Sequence, residues 1–180
     1  MLSKIEYEEI IKLIKHQVVP AIGCTEPMAV ALCVAKARQI LGVLPEKIEV
    51  KLSANILKNA MGVGIPGTGM IGLPIAIALG ALIGRPEEEL EVLIDCNKKA
   101  VEKGKLYIAE NRIDIKLEEN NPDKLYINVI CHADGHEAEA IIKGAHTNFV
   151  LLRKDDKILL NNKSHDKETE NEDEVSLTLH

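Results

Sequence analysis

An α+β fold is what this sequence predicts, and three observations predict it. Apolar residues recur at helical spacing through the first half of the chain. After Glu110 the period changes to strict alternation, and the alternating stretches are joined by short turns of Asp, Asn and Gly. Helices followed by a run of strands place a helical first half against a mainly antiparallel sheet. With 180 residues, of which 46% are hydrophobic, one domain can bury a substantial core.

The elements follow in order. Ser3-Lys4-Ile5-Glu6 fits a capping box, and Ile10, Ile11, Ile14 and Val18 supply a helical apolar stripe. Val19 to Gly23 breaks that helix. Thr25 is read as the cap of the next, with Glu26 and Pro27 in its first turn, where a carboxylate and a proline are favoured. This helix, from about Glu26 to Leu41, is apolar nearly all round and is expected to be a buried central helix ending at Gly42.

Ile48 to Leu52 alternates as a half-buried strand, and Asn55 to Met61 reads as a short helix. A glycine cluster follows (Gly62, Gly64, Gly67, Gly69, Gly72), then a small-residue helix from Leu73 to Ile83. Pro86 opens a further helix expected to run to about Lys103. Ile113–Leu117 and Tyr126–Ile130 are strands separated by the turn Asn120-Asn121-Pro122-Asp123. Asp134-Gly135 and Asp155-Asp156 mark two hairpins of a meander. From Asn161 onward the chain is polar and acidic and reads as a solvated linker.

Charge and composition narrow the function. A net charge of −6 and only 2% aromatic residues disfavour nucleic acid, which needs a basic surface and stacking platforms. The longest apolar stretch, Met70 to Ile83, is broken by Gly72, Pro74 and Gly80 and is too short for a bilayer, which takes roughly 20 residues. Four cysteines without a C-x-x-C pair read as reduced thiols of a cytoplasmic protein.

Two segments could carry chemistry. Cys24 lies between Gly23 and Thr25-Glu26-Pro27, at a loop-to-helix junction. A helix N-terminus lowers a thiol pKa, and the neighbouring Glu26 opposes that effect. Cys33, Cys96 and Cys131 lie within helical or strand patterns and read as packing residues. The second segment, Gly62-Val63-Gly64-Ile65-Pro66-Gly67, matches G-x-G-x-x-G, but no parallel strand precedes it and Pro66 removes an amide that a pyrophosphate would need. It is left as either a hinge between helices or a backbone cradle for a small anion that uses Thr68. Asn55 and Asn59, four apart, share a helix face, and His146 sits in a constrained Gly-Ala-His-Thr-Asn segment.

Taken together, Pro20-Ala21-Ile22-Gly23-Cys24-Thr25-Glu26-Pro27, Asn55-Ile56-Leu57-Lys58-Asn59, the run from Gly62 to Pro74, and Gly144-Ala145-His146-Thr147-Asn148 resemble, in order, the N-terminal portion of the L-cysteine desulfidase family. That family is related to iron–sulfur L-serine dehydratases. The resemblance covers about residues 5 to 160. It implies α,β-elimination of L-cysteine to pyruvate, ammonia and hydrogen sulfide with a [4Fe–4S] cluster as Lewis acid. Cys24 would be the proton acceptor at the substrate Cα. Thr25, Glu26, Asn55, Asn59, Gly67, Thr68, Gly69, His146, Thr147 and Asn148 would line the cleft and hold the substrate.

The same resemblance implies that the cluster ligands lie outside this chain, and no metal ligand is carried onto it. Residues 1–160 are then a substrate-cleft domain, and 161–180 a linker toward a missing cluster-binding half or partner subunit. Alone, the chain is expected to be catalytically silent. A non-catalytic amino-acid-binding domain and an L-serine dehydratase-like subunit are the alternatives, and self-association into a homo-oligomer is left open.

Overall fold

In the computed structural model, which describes Tyr7, Glu8, Ile10, Ile11 and residues 20–119 and 121–162, a six-stranded sheet carries helices on one face, an α+β fold. Tyr7, Glu8, Ile10 and Ile11 are helical; the rest of the first expected helix and the polar run after Asn162 lie outside the described residues.

The central helix α1 spans Thr25–Leu41 and ends on Gly42 at φ 90°, where the Gly42 amide donates to the Arg38 carbonyl. That left-handed ending is what a glycine permits without a Cβ penalty. Nearly every residue from Pro27 to Ala37 is buried, because α1 is enclosed by the sheet and by a second apolar helix. Strand β1 (Lys47–Leu52) follows, then α2 (Ala54–Met61) and α3 (Leu73–Ile83). The α1–α3 contact is close: a Cβ on Gly80 would lie 2.6 Å from the Ala31 carbonyl oxygen. Small residues in the Leu73–Ile83 stretch therefore serve backbone approach.

The helix expected from Pro86 to Lys103 is corrected to two elements. A short 3-10 helix covers Pro86–Glu91, with Glu89 at φ 47°, and α4 covers Lys98–Ala109. The break is chemical: the Asn97 side chain accepts from the Ala100 amide at 3.1 Å, an N-cap that starts a new helix.

Sheet order is β4-β1-β5-β6-β7-β8, where β4 is Ile113–Leu117, β5 Tyr126–Ala133, β6 His136–Lys143, β7 Phe149–Lys154 and β8 Lys157–Asn161. From β5 onward the neighbours are antiparallel hairpins, turning at Asp134-Gly135 and at Asp155, whose positive φ values suit tight turns. The first expected pair is different. β4 lies parallel to β1 at the sheet edge, and β1 separates it from β5. Alternation identifies a strand but is blind to its neighbour, and a parallel partner requires a long crossover such as the helical segment here.

The sheet has two unlike faces. Ile48, Val50, Leu52, Ile127, Val129, Cys131, Ala138, Ala140 and Ile142 are buried under the helices. The alternate residues form a second face, on the side away from α1, bearing Lys51, Asn128, Glu139 and Ile141. No helix among the described residues is long and apolar enough to cross a membrane.

Candidate functional site

The N-terminus of α1 is where four segments meet. Cys24, and not the expected Thr25, is its N-cap residue, with φ −72° and ψ 135°. Gly23 precedes it at φ +86°, and a Cβ there would lie 2.6 Å from Pro66 Cγ. Glycine is therefore required twice over, by conformation and by the close approach of Pro66. Pro66 belongs to the turn of a small hairpin, β2 (Gly64–Ile65) paired with β3 (Met70–Ile71). The glycine run is thus a hairpin, a form neither the hinge nor the cradle reading anticipated. Next to Pro66, a Cβ on Gly67 would lie 3.6 Å from Cys96 Sγ, and the Ile22 amide donates to the Leu90 carbonyl at 3.3 Å.

At this junction the polar groups converge on one carboxylate. Cys24 Sγ donates to Glu26 Oε2 at 2.9 Å, and Thr25 Oγ1 donates to the same oxygen at 3.2 Å. Asn59 Nδ2, from α2, donates to Glu26 Oε1 at 3.3 Å. Partial burial, followed by the hydrogen bond to Glu26 and its charge, pushes the Cys24 thiol up. The hydrogen bond from Cys24, aided by Asn59 and Thr25, holds the Glu26 carboxyl down. The resting pair is consequently a protonated thiol bonded to a carboxylate. The helix terminus was expected to compete with Glu26 for control of the thiol; burial first, and then Glu26, whose oxygen is in direct contact, raise the thiol against it.

The remaining expected residues are distributed unevenly. Asn55 is exposed one turn before Asn59, and its side chain makes no hydrogen bond among the described residues. Thr68 is occupied by its own turn: its hydroxyl donates to the Ile65 carbonyl at 2.6 Å and accepts from the Met70 amide at 2.9 Å, and its amide bonds Ile65 as well. Gly67 and Gly69 have positive φ, as the hairpin tip demands. Asn148 closes the β6–β7 turn, its Nδ2 donating to the Lys143 carbonyl at 2.9 Å.

His146, Thr147 and Asn148 make no hydrogen bond to the Cys24 segment among the described residues. They do lie at the same end of the sheet. The Leu41 carbonyl accepts from Lys154, paired with Ala138, and Cys33 Sγ donates to the Ala140 carbonyl. Along β6, α1 therefore runs from the Ala138 end at its C-terminus toward the Lys143 end at Cys24.

Cys96 was read as a packing residue within a helix; it is half-buried in the turn before α4, against Gly67. The signal for that turn was Asn97, whose capping role marks where the helix restarts. Cys33 and Cys131 are buried in the core. Among the described residues no group of three or more His, Cys, Asp or Glu side chains could hold a metal ion. The donor set among the described residues does not fit a [4Fe–4S] cluster.

The class these observations define is an α+β protein with a thiol–carboxylate pair at a helix N-terminus. The chain is similar to proteins named UPF0597 protein. It is 62% identical over 174 residues to one from Bacteroides thetaiotaomicron, covering 97% of this chain and 41% of that relative. One from Porphyromonas gingivalis is 43% identical over 178 residues, and one from Aeromonas hydrophila 43% identical over 157, covering 41% and 35% of those relatives. The chain thus spans about two-fifths of the length of the curated relatives it matches. No protein-family model matches it, and no solved structure matches it significantly.

These relatives correct the expected kinship with L-cysteine desulfidases and iron–sulfur L-serine dehydratases. The physical reason lies in the motifs that carried it. Gly23, Gly67, Gly69 and Gly72 all have positive φ, so much of the shared pattern records turns that any such backbone demands.

Proposed function

We propose that this chain supplies the proton-transfer site of a lyase acting on a small α-amino acid, with L-cysteine as the substrate to test first. The observation that carries the proposal is the 2.9 Å bond from Cys24 Sγ to Glu26 Oε2, held by Asn59 from a second helix. A thiol paired with a carboxylate can pass its proton to the carboxylate and take another from a substrate. In the reaction, Glu26 accepts the Cys24 proton and the thiolate removes the substrate Cα proton. That electron pair forms the Cα–Cβ double bond while the Cβ–S bond breaks, its electrons leaving on sulfur. The departing sulfur is protonated to hydrogen sulfide, and the 2-aminoacrylate tautomerises and is hydrolysed to pyruvate and ammonia.

Water is the only co-reactant, so the step is redox-neutral. The group that stabilises the leaving sulfur is assigned to the part of the whole protein that this chain does not span. Four free thiols suit a reducing compartment, which makes the cytoplasm the proposed location.

The test is sulfide and pyruvate release from L-cysteine by the whole protein. Cys24→Ala and Glu26→Gln should each lower kcat by about 10²–10⁴-fold, the usual worth of a positioned acid or base. Retention of near-native turnover by Cys24→Ala would sink the proposal. Binding of L-cysteine without turnover would assign the chain to non-catalytic amino-acid binding instead.

A further inference from the structure

The face of the sheet away from α1 and Cys24 bears a cavity of about 700 Å³, within the range of small-molecule sites. Its apolar wall is Ile141 and Val150, which are 3% and 7% exposed and pack with Tyr126 as a cluster separate from the main core. Lys51 enters from β1 and Glu118 from the segment after β4. Among the described residues neither of these opposite charges has an ion-pair partner, although they line the same cavity. They are therefore more than 4 Å apart and leave room for something between them.

Asn128 stands beside Lys51 in the β1–β5 register. Its Nδ2 donates to Glu139 Oε1 at 3.0 Å, which fixes the amide orientation, and its Oδ1 is buried with no hydrogen-bond partner among the described residues. A buried acceptor left without a donor costs free energy, so the site is short of a donor there. At the rim, Lys143 pairs with Asp123 at 3.6 Å.

We propose that this cavity binds a free α-amino acid with an aliphatic side chain. Lys51 holds the carboxylate, Glu118 and Asn128 Oδ1 hold the ammonium, and Ile141, Val150 and the Tyr126 ring take the side chain. A zwitterion answers all three features at once: it bridges two unpaired charges of opposite sign, supplies the missing donor, and covers the apolar wall. A simple anion would leave Glu118 and Asn128 unanswered, and a simple amine would leave Lys51 so. The proposal stands apart from the reaction at Cys24, which lies at the other face.

Titration calorimetry on the whole protein tests it, with L-leucine as probe. 4-Methylpentanoate, which lacks the amine, and 3-methylbutylamine, which lacks the carboxylate, are the comparison ligands. Saturable binding of L-leucine is expected, at least tenfold tighter than either fragment. Lys51→Met and Glu118→Gln should each weaken it at least fivefold with unchanged circular dichroism, while Cys24→Ser leaves it within twofold. Amide chemical shifts of Lys51, Asn128 and Ile141 should move on titration, a readout that needs no variant to fold. Absence of saturable binding at millimolar L-leucine would overturn the proposal, as would equal affinity for the fragments or indifference to both substitutions. Loss of sulfide release in Cys24→Ser with L-leucine binding intact separates the two sites.

Discussion

Cys24 Sγ lies 2.9 Å from Glu26 Oε2, two residues on, and the carboxylate is shared with Asn59 from a different helix. Burial, the hydrogen bond and the Glu26 charge all raise the thiol pKa above its ordinary value. Alkylation by iodoacetamide, which needs the thiolate, should therefore rise only on the alkaline side of an ordinary cysteine. In Glu26→Gln the negative charge beside the thiol is lost and desolvation remains, so the midpoint should move down in pH. A midpoint that stays put would show that Glu26 does not control the thiol.

Gly80 faces Ala31 across the α1–α3 contact, and a Cβ would meet the Ala31 carbonyl oxygen at 2.6 Å. On an exposed helix Gly→Ala gains about 1 kcal/mol from propensity. Here Gly80→Ala should instead destabilise by about 1–3 kcal/mol, the usual range for overpacking. Urea denaturation of the two proteins gives the sign directly.

The α4 start depends on Asn97, which accepts from the Ala100 amide. Asn97→Ala should cost about 1 kcal/mol, the usual worth of an N-cap. Asn97→Asp, which keeps an acceptor at the helix N-terminus, should recover most of that loss in the same measurement.

Burial pushes the Cys131 thiol up to about 12. In the unfolded chain a thiol titrates near 8.5, so above that pH the unfolded state binds fewer protons than the folded one. The stability Cys131 confers is complete below that ordinary value and is lost as the pH rises toward about 12. Unfolding free energy should fall across this window by at most about 1.4 kcal/mol per pH unit for this group, and less steeply in Cys131→Ala. With a thiol reagent at alkaline pH, Cys24 and Cys96, which are half-buried, should react in the native protein, whereas Cys33 and Cys131, which are buried, require denaturation.

Local chemistry explains which features were legible in sequence. The buried helix ending at Gly42, the β1 alternation and the hairpins at Asp134-Gly135 and Asp155 depend on periodicity and turn residues within a few positions of one another. The break before α4 was legible in principle through Asn97. The β2–β3 hairpin was harder to see, because each of its strands has only two residues and no alternation can register over that length.

Residue order alone determined an α+β chain, a central apolar helix, and a thiol at that helix's entrance. Tertiary structure decided everything that joins distant segments. It placed β4 beside β1, brought Pro66 onto Gly23, and supplied Asn59 to a carboxylate thirty-three residues away in the chain. It also buried Cys24 in part and set its thiol against the Glu26 carboxylate, and both act against the helix terminus to raise the thiol pKa. The placing of unlike charges around the cavity on the face away from α1 has the same origin. Lys51 and Glu118 are far apart in sequence, and they share a wall only because β1 and β4 lie side by side.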